Sequence, residues 1–232
     1  MNIALLGYGR MGKTIEKIAT ERGHTIVLTV DKDDNEYDVS VADVAIDFSI
    51  PSAAVDNITN CFNAGVPIVS GTTGWLDHYD QIISLCKEKD GGFIYASNYS
   101  LGVNLFFELN KKLAKMMNPI EGYDIHMEEI HHTQKLDAPS GTAITLAEGV
   151  IENTSKNAWQ LDEGDDKTVA ITAKRIENVP GTHTVTYASA VDDIEIKHTA
   201  HNRQGFALGA VVAAEWLSGK TGVFGMKDVL GL

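Results

Sequence analysis

Ile3-Ala-Leu-Leu6 is a fully apolar run of strand length, as expected for a parallel strand buried on both faces. It enters Gly7-Tyr-Gly9-Arg-Met-Gly12, after which apolar positions recur at helical spacing through Ile15, Ile18 and Ala19 to Gly23. Thr25 to Val30 reads as a second strand and Val44 to Phe48 as a third. Pro51 suits the first turn of a helix that carries Val55, Ile58 and Phe62 and stops at Gly65. Val66 to Ser70 is the next strand, Asp77 is placed to cap a helix with Ile82, Ile83 and Cys86, and Phe93 to Ala96 is another short strand. Such alternation predicts right-handed crossovers and an α/β, Rossmann-like, doubly wound, mostly parallel sheet.

After Gly102 the pattern changes. A helix is expected from about Asn104 to Met117, a strand from Tyr123 to Glu129, and a helix through Ile144, Leu146, Ala147 and Val150. The segments Val169 to Ile176, Thr182 to Ala188 and Val191 to Thr199 are β-rich. These predict an inserted α+β domain with an open mixed sheet, largely antiparallel. An open sheet needs its outer face covered, and a second subunit is the expected cover. The helix from Phe206 to Leu217 reads as a return to the first domain. The expected division is 1–102 plus 205–232 for a dinucleotide-binding domain, and 103–204 for a substrate-binding and oligomerisation domain.

Charge narrows the partners. Nineteen Lys and Arg against 32 Asp and Glu give a net charge of −13, and no basic patch offsets it, so a nucleic-acid partner is not expected. The acidic run Asp162-Glu-Gly-Asp-Asp166 lacks the alternating oxygen ligands and closing Glu of a calcium loop and reads as solvated. Cys61 and Cys86 form neither a disulfide framework nor a CxxC site. The opening apolar run is too short for a signal peptide, and no window reaches the roughly 18 apolar residues of a membrane helix. A cytoplasmic protein without a membrane partner is expected.

Strand, GxGxxG, helix, strand and acid follow in order, with Asp31 standing 19 residues beyond Gly12. Gly7 makes the tight turn, Gly9 lets a pyrophosphate approach the backbone, and Gly12 lets helix and strand pack closely. Tyr8, Arg10 and Met11 share that loop. Asp31 suits ribose hydroxyls and favours NADH, whereas Lys32 beside it suits the 2′-phosphate of NADPH, so either cofactor is open. Ligands of such sheets sit beyond the carboxyl ends of the strands, which marks Phe48, Gly71, Thr72, Thr73, Ala96, Ser97, Asn98 and Tyr99 as cofactor-lining candidates.

The other chemical stretch is Glu129-Ile-His-His-Thr-Gln-Lys-Leu-Asp-Ala-Pro-Ser-Gly-Thr-Ala143. It places His131, His132 and Lys135 before a helix start at Ser140, Gly141 and Thr142, whose unpaired amides suit an anion. A metal site using His126, Glu129, His131 or His132 is not expected. No HExxH-like spacing is present, and adjacent side chains of an extended segment point opposite ways. Proton transfer beside a hydride transfer uses every feature at once. A different NAD(P)-linked dehydrogenase of amino acids or semialdehydes would share the nucleotide half, and a non-enzymatic dinucleotide sensor would need only that half.

That stretch resembles the signature of the dihydrodipicolinate reductase family, also called 4-hydroxy-tetrahydrodipicolinate reductases. The resemblance extends over the Gly7 to Gly12 loop, Asp47-Phe-Ser49, Gly71-Thr-Thr-Gly74, Asn98 to Asn104, Arg203 with Phe206-Ala207, and Asp228 to Leu232. It departs in a glycine loop one residue tighter than the family's GxxGxxG and in a short stretch from Asp31 to Asp43. The resemblance implies NADH- or NADPH-dependent reduction of a cyclic imine dicarboxylate on the diaminopimelate route to lysine, by a homotetramer. It also implies His131 as proton donor/acceptor, Lys135 as a proton donor, and His132, Ser140, Gly141 and Thr142 as substrate ligands. A positively charged imidazolium at His131, with Lys135, would meet the charge developing on nitrogen, and Arg203 is a candidate for the second carboxylate.

Overall fold

A computed structural model describes residues 1–31, 34, 36–202 and 204–232. Lys32 and Arg203, both singled out above, lie outside the described residues. Contacts gather into two units, Met1–Leu101 with Gln204–Leu232, and Gly102–Arg203.

The first unit holds a six-stranded sheet of β1 (Asn2–Leu6), β2 (Thr25–Val30), β3 (Val44–Asp47), β4 (Ile68–Ser70), β5 (Gly92–Tyr95) and β11 (Gly222–Phe224). Their order is β11-β5-β4-β3-β1-β2, and every pairing is parallel. Alternate residues of β1 serve opposite cores, as a strand covered on both faces requires. Ile3 and Leu5 join the cluster formed with α1 (Arg10–Glu21) and α6 (Gln204–Leu217). Ala4 and Leu6 join that of α2 (Pro51–Asn63) and α3 (Tyr79–Glu88). Arg22 and His24 both bond Glu215 at 2.7 Å, tying α6 to the turn after α1. The chain reverses direction across the sheet between β1 and β3, which opens a crevice at their carboxyl ends. Asp77 lies inside a short 3₁₀ turn, Leu76–His78, and so does not cap α3.

The second unit holds β6 (Asp124–His131), β7 (Ala158–Leu161), β8 (Thr168–Arg175), β9 (Gly181–Ala188) and β10 (Asp193–Ala200) in the order β10-β9-β6-β8-β7. Two helices, α4 (Leu101–Met117) and α5 (Gly141–Ile151), supply Phe106, Ala114, Leu146 and Val150 to a core with Ile125, Met127, Val169, Ile171, Val185 and Tyr187. The sheet is mixed, but not largely antiparallel as expected. The β6–β8 and β7–β8 pairings are parallel, and only β6–β9 and β9–β10 are antiparallel. Helix α5 accounts for this, because it carries the chain from the end of β6 back to the start of the strands beside it. The expected strand at Tyr123 to Glu129 runs two residues further and takes in His131. A short last helix, α7 (Met226–Leu230), closes the chain.

Candidate active site

In the first unit the loop after β1 meets the loop after β3. Gly7 sits at φ +96°, and a Cβ there would lie 2.2 Å from the Phe48 carbonyl oxygen. One on Gly12 would lie 2.3 Å from the Gly7 carbonyl oxygen, and one on Gly9 would meet nothing within 4 Å. These are the three tasks assigned to the glycines: a turn, an open approach and close packing. Helix α1 has no side-chain cap, and its first intrahelical bond is Lys13 N to Gly9 O at 3.1 Å, so the preceding amides point out of the helix end. The loop before that end edges a cavity of about 540 Å³ lined by Gly7, Tyr8, Gly9, Asp31, Phe48 and Asn57, among others. A glycine-edged cavity, a helix end and an acid at the close of β2 together fit a dinucleotide.

The floor of that crevice rests on Asp47, which the sequence marked only as part of a motif. Its carboxylate is fully buried and accepts from Ser49 Oγ at 2.6 Å, Asn57 Nδ2 at 3.0 Å and Ser70 Oγ at 2.8 Å. Burial raises its pKa against those bonds. Thr72 Oγ1 accepts the Ser49 N–H at 2.8 Å, linking the loops after β3 and β4. Of the strand-end candidates, Gly71 packs under the Phe48 ring, where a Cβ would come within 2.3 Å. Tyr99 is buried in the core and donates its hydroxyl to Ser70 O at 2.8 Å. Thr73 is exposed, and Asn98 Oδ1 accepts the Ser100 N–H at 2.9 Å. Arg10, Met11 and Gly12 belong to the first turn of α1, while Ala96 and Ser97 follow β5 directly.

In the second unit the chemistry centres on Glu129. Its carboxylate is fully buried on the inner face of β6, two residues from His131 and therefore on the same side. Oε2 accepts the Ser140 N–H at 3.0 Å, and Oε1 takes both Arg175 Nη atoms at 3.3 Å. Arg175 also donates to Asp137 O at 2.6 Å and Lys135 O at 3.3 Å, so one guanidinium pins the loop that carries Lys135. Lys135 Nζ bonds both oxygens of Asp137, at 2.8 and 2.7 Å. Ser140 caps α5 by accepting the Ala143 N–H at 3.2 Å, and the first i→i−4 bond of the helix begins at Ile144. The Gly141 and Thr142 amides precede that bond, as an anion site requires.

Burial pushes the Glu129 carboxyl up, but the His183 ring beside it and the Ser140 N–H that it accepts outweigh this and hold the group down at about 2. Burial, with repulsion from His183, Lys135 and Arg175, pushes His131 down to about 4 against the pull of Glu129. Without a ligand, His131 is therefore neutral near pH 7. Its Nδ1 faces Glu129 Oε2 at 3.6 Å, too long for a hydrogen bond, and is buried with no partner. Its Nε2 is turned toward Gly181.

Lys135, Ser140 and the start of α5 are thus linked through Glu129 and Arg175, and His131 lies beside the same carboxylate. His132 does not, because it points the other way. It lines a separate recess of about 430 Å³ with Thr133, Gln134, Pro180 and Asn202. Arg175 and His183 were not anticipated. Each reaches Glu129 only by strand pairing, so no local spacing could have announced them. His183 also completes a trio with Glu129 and His131 whose ligand-type atoms lie within 4.8 Å. The spacing argument against a metal considered one strand and does not reach this trio. Both oxygens of Glu129 are, however, already engaged by Ser140 and Arg175.

Comparison with known proteins places these features in a family context. Residues 1–99 match the family model for the N-terminus of dihydrodipicolinate reductase, and residues 102–230 match that for its C-terminus. The 4-hydroxy-tetrahydrodipicolinate reductase of Christiangramia forsetii is 64% identical over 233 residues, covering 99% of this chain and 98% of the relative. The enzyme of the same name from Neisseria meningitidis is 36% identical over 229 residues, covering 94% and 84%. Among solved structures, a dipicolinate-bound dihydrodipicolinate reductase from Paenisporosarcina sp. superposes with a TM-score of 0.81 at 22% identity, covering 98% of both chains, and so shows the same fold.

Proposed function

The chain belongs to the dihydrodipicolinate reductase family, and from that premise we propose that it reduces 4-hydroxy-tetrahydrodipicolinate, by way of dihydrodipicolinate, to tetrahydrodipicolinate in lysine biosynthesis. The observation that carries this reading is that one buried carboxylate, Glu129, accepts the Ser140 N–H at the amino end of α5 and lies 3.6 Å from His131 Nδ1. Proton transfer and carboxylate binding then share a rigid frame.

The Gly7–Gly12 loop and the cavity beside it hold NADH or NADPH, whose reduced nicotinamide supplies a hydride when bound. The Gly141 and Thr142 amides and the Ser140 hydroxyl bind one substrate carboxylate, which the helix end favours electrostatically. The Lys135 ammonium, steadied by Asp137, lies against the ring nitrogen as negative charge develops there. His131 delivers the proton from Nε2, the nitrogen not turned to Glu129. A doubly charged substrate beside a neutral imidazole favours its protonated form, so His131 gains the proton as the substrate binds. His132 contributes from its own recess.

We further propose a homotetramer built on the face of the five-stranded sheet turned away from α4 and α5. On its edge strand β10, Glu195, Lys197 and Thr199 are exposed and alternate with Ile196, which packs against the core. Light scattering of the purified protein tests it, and a monomer at micromolar concentration would refute it. Among the described residues no helix is long and apolar enough to cross a membrane.

The reaction is tested by following NADH and NADPH oxidation with the product of dihydrodipicolinate synthase as substrate. Oxidation that depends on that product supports the proposal. Oxidation only with an open-chain amino acid or semialdehyde would move the chain to the other dehydrogenase reading.

A further inference from the structure

We propose that His183 is a positioning residue that sets the direction of the Ser140 hydroxyl, and so the grip of the site on its substrate carboxylate. The inference rests on the reading of Ser140 given above and adds a residue that the family signature stretch does not contain.

Register places His183 opposite Glu129 on the antiparallel β6–β9 pair, with both side chains turned inward and buried. His183 Nε2 lies 3.1 Å from Ser140 Oγ and 3.7 Å from Glu129 Oε2. Its ring meets that of His131 edge-on, with centroids 5.0 Å apart at 70°. One side chain thus touches the carboxylate-binding serine, the carboxylate that frames the site and the proton carrier.

Ser140 Oγ has two lone pairs and one proton. One lone pair already accepts the Ala143 N–H that caps α5. In the proposed resting state Oγ gives its proton to a bare His183 Nε2, 3.1 Å away. A carboxylate arriving at the Gly141 and Thr142 amides competes for the same proton. Once the hydroxyl turns to the ligand, a bare Nε2 would face Oγ acceptor to acceptor inside a buried site, which is costly. A neutral imidazole avoids this by giving its Nδ1 proton to water and taking one at Nε2 from water as the ligand enters, so that the ring stays neutral and Nε2–H then donates to the second lone pair. Oγ then holds two donors and gives its own proton to the substrate. Serine in this setting needs a neighbour able to switch between acceptor and donor, and His183 is that neighbour.

Steady-state kinetics of the wild type, His183→Phe, His183→Gln, Ser140→Ala and the His183→Phe/Ser140→Ala double variant test the proposal. His183→Phe removes both nitrogens and is expected to raise the substrate KM about tenfold, the equivalent of losing one buried hydrogen bond, with the dinucleotide KM unchanged. His183→Gln offers either an N–H or a C=O and is expected to stay within about twofold of wild type. In the Ser140→Ala background, His183→Phe is expected to add less than about twofold, because residues in one network are not additive. Should His183→Phe fail to show a cooperative unfolding transition, His183→Met serves the same comparison. If Ser140→Ala raises the substrate KM and the histidine change is fully additive to it, His183 does not act through Ser140 and this inference is overturned alone. A wild-type substrate KM in Ser140→Ala would overturn the carboxylate role of Ser140 and this inference together.

Discussion

The Ser140 N–H donates to Glu129 Oε2 at 3.0 Å, from a helix cap to a strand eleven residues earlier. That bond, with Arg175 on the other carboxylate oxygen, fixes where α5 begins relative to His131. Glu129 is therefore the hub of the second unit, ahead of the histidines that announce the site in the sequence.

Replacing it should be costly. Glu129→Gln leaves the Arg175 guanidinium without its charge partner and turns an acceptor into a donor beside the Ser140 amide. Breaking a buried pair in this way typically costs about 3 kcal/mol, toward the lower end of its range here because Arg175 keeps some contact with water. Urea unfolding of the two proteins measures the difference, and a change below about 1 kcal/mol would contradict the role of hub.

Acid should unfold the wild type in two overlapping steps. The folded Glu129 carboxyl takes its proton near 2 and the free group near 4.5, so between those values the unfolded chain binds more protons and stability falls as pH drops. His131 is neutral in the fold down to about 4, against an ordinary value of 6.5, so it too favours the unfolded chain as pH drops from 6.5 toward 4. These two groups add no slope above about 7, and stability is expected to decline through both windows below it. Glu129→Gln should remove the lower one, and thermal melts across pH read both.

The glycine loop makes a sharper prediction for the first unit. Gly7→Ala puts a methyl within 2.2 Å of the Phe48 carbonyl oxygen at φ +96°, where both space and backbone oppose it. The loops after β1 and β3 must part, and dinucleotide affinity should fall at least about tenfold with a lower Tm. Gly9→Ala meets nothing in the protein, so it should fold normally and lose affinity only where its methyl faces the ligand. NADH fluorescence titration beside a melting curve separates the two.

Legibility in the sequence followed the range of the interactions. The Gly7–Gly12 turn and the Ser140 cap are built from neighbours along the chain, so residue type and spacing expose them. The parallel sheet was legible because β1 is apolar on both faces. The mixed order of the second sheet was not, since pairing β6 with β8 depends on where α5 delivers the chain. Arg175 and His183 stand 46 and 43 residues from their partners Glu129 and Ser140, and nothing local to them signals a site. The neutrality of His131 follows from burial and three nearby cationic or titratable groups, which only the folded arrangement supplies.

Cofactor choice should divide between adjacent residues. Asp31 closes β2 at the cavity edge, where a carboxylate suits ribose hydroxyls and repels a 2′-phosphate. Asp31→Ala should raise the KM for NADH about tenfold while leaving NADPH less affected. Lys32→Ala should weaken NADPH more than NADH. Equal effects of Lys32→Ala on both cofactors would show that Lys32 does not meet the 2′-phosphate.

Proton uptake on binding is the most direct test of His131. A neutral imidazole cannot both rest uncharged near pH 7 and act as the charged acid unless ligand binding brings the proton with it. Dipicolinate, a planar dianion, should therefore bind with net uptake of protons and lose affinity as pH rises. Calorimetry in two buffers of different ionisation enthalpy counts those protons. His131→Gln should reduce the uptake and cut turnover about a hundredfold or more, with dinucleotide affinity intact. Unchanged uptake in His131→Gln, together with near-normal turnover, would remove His131 as the acid and leave Lys135 as the remaining donor.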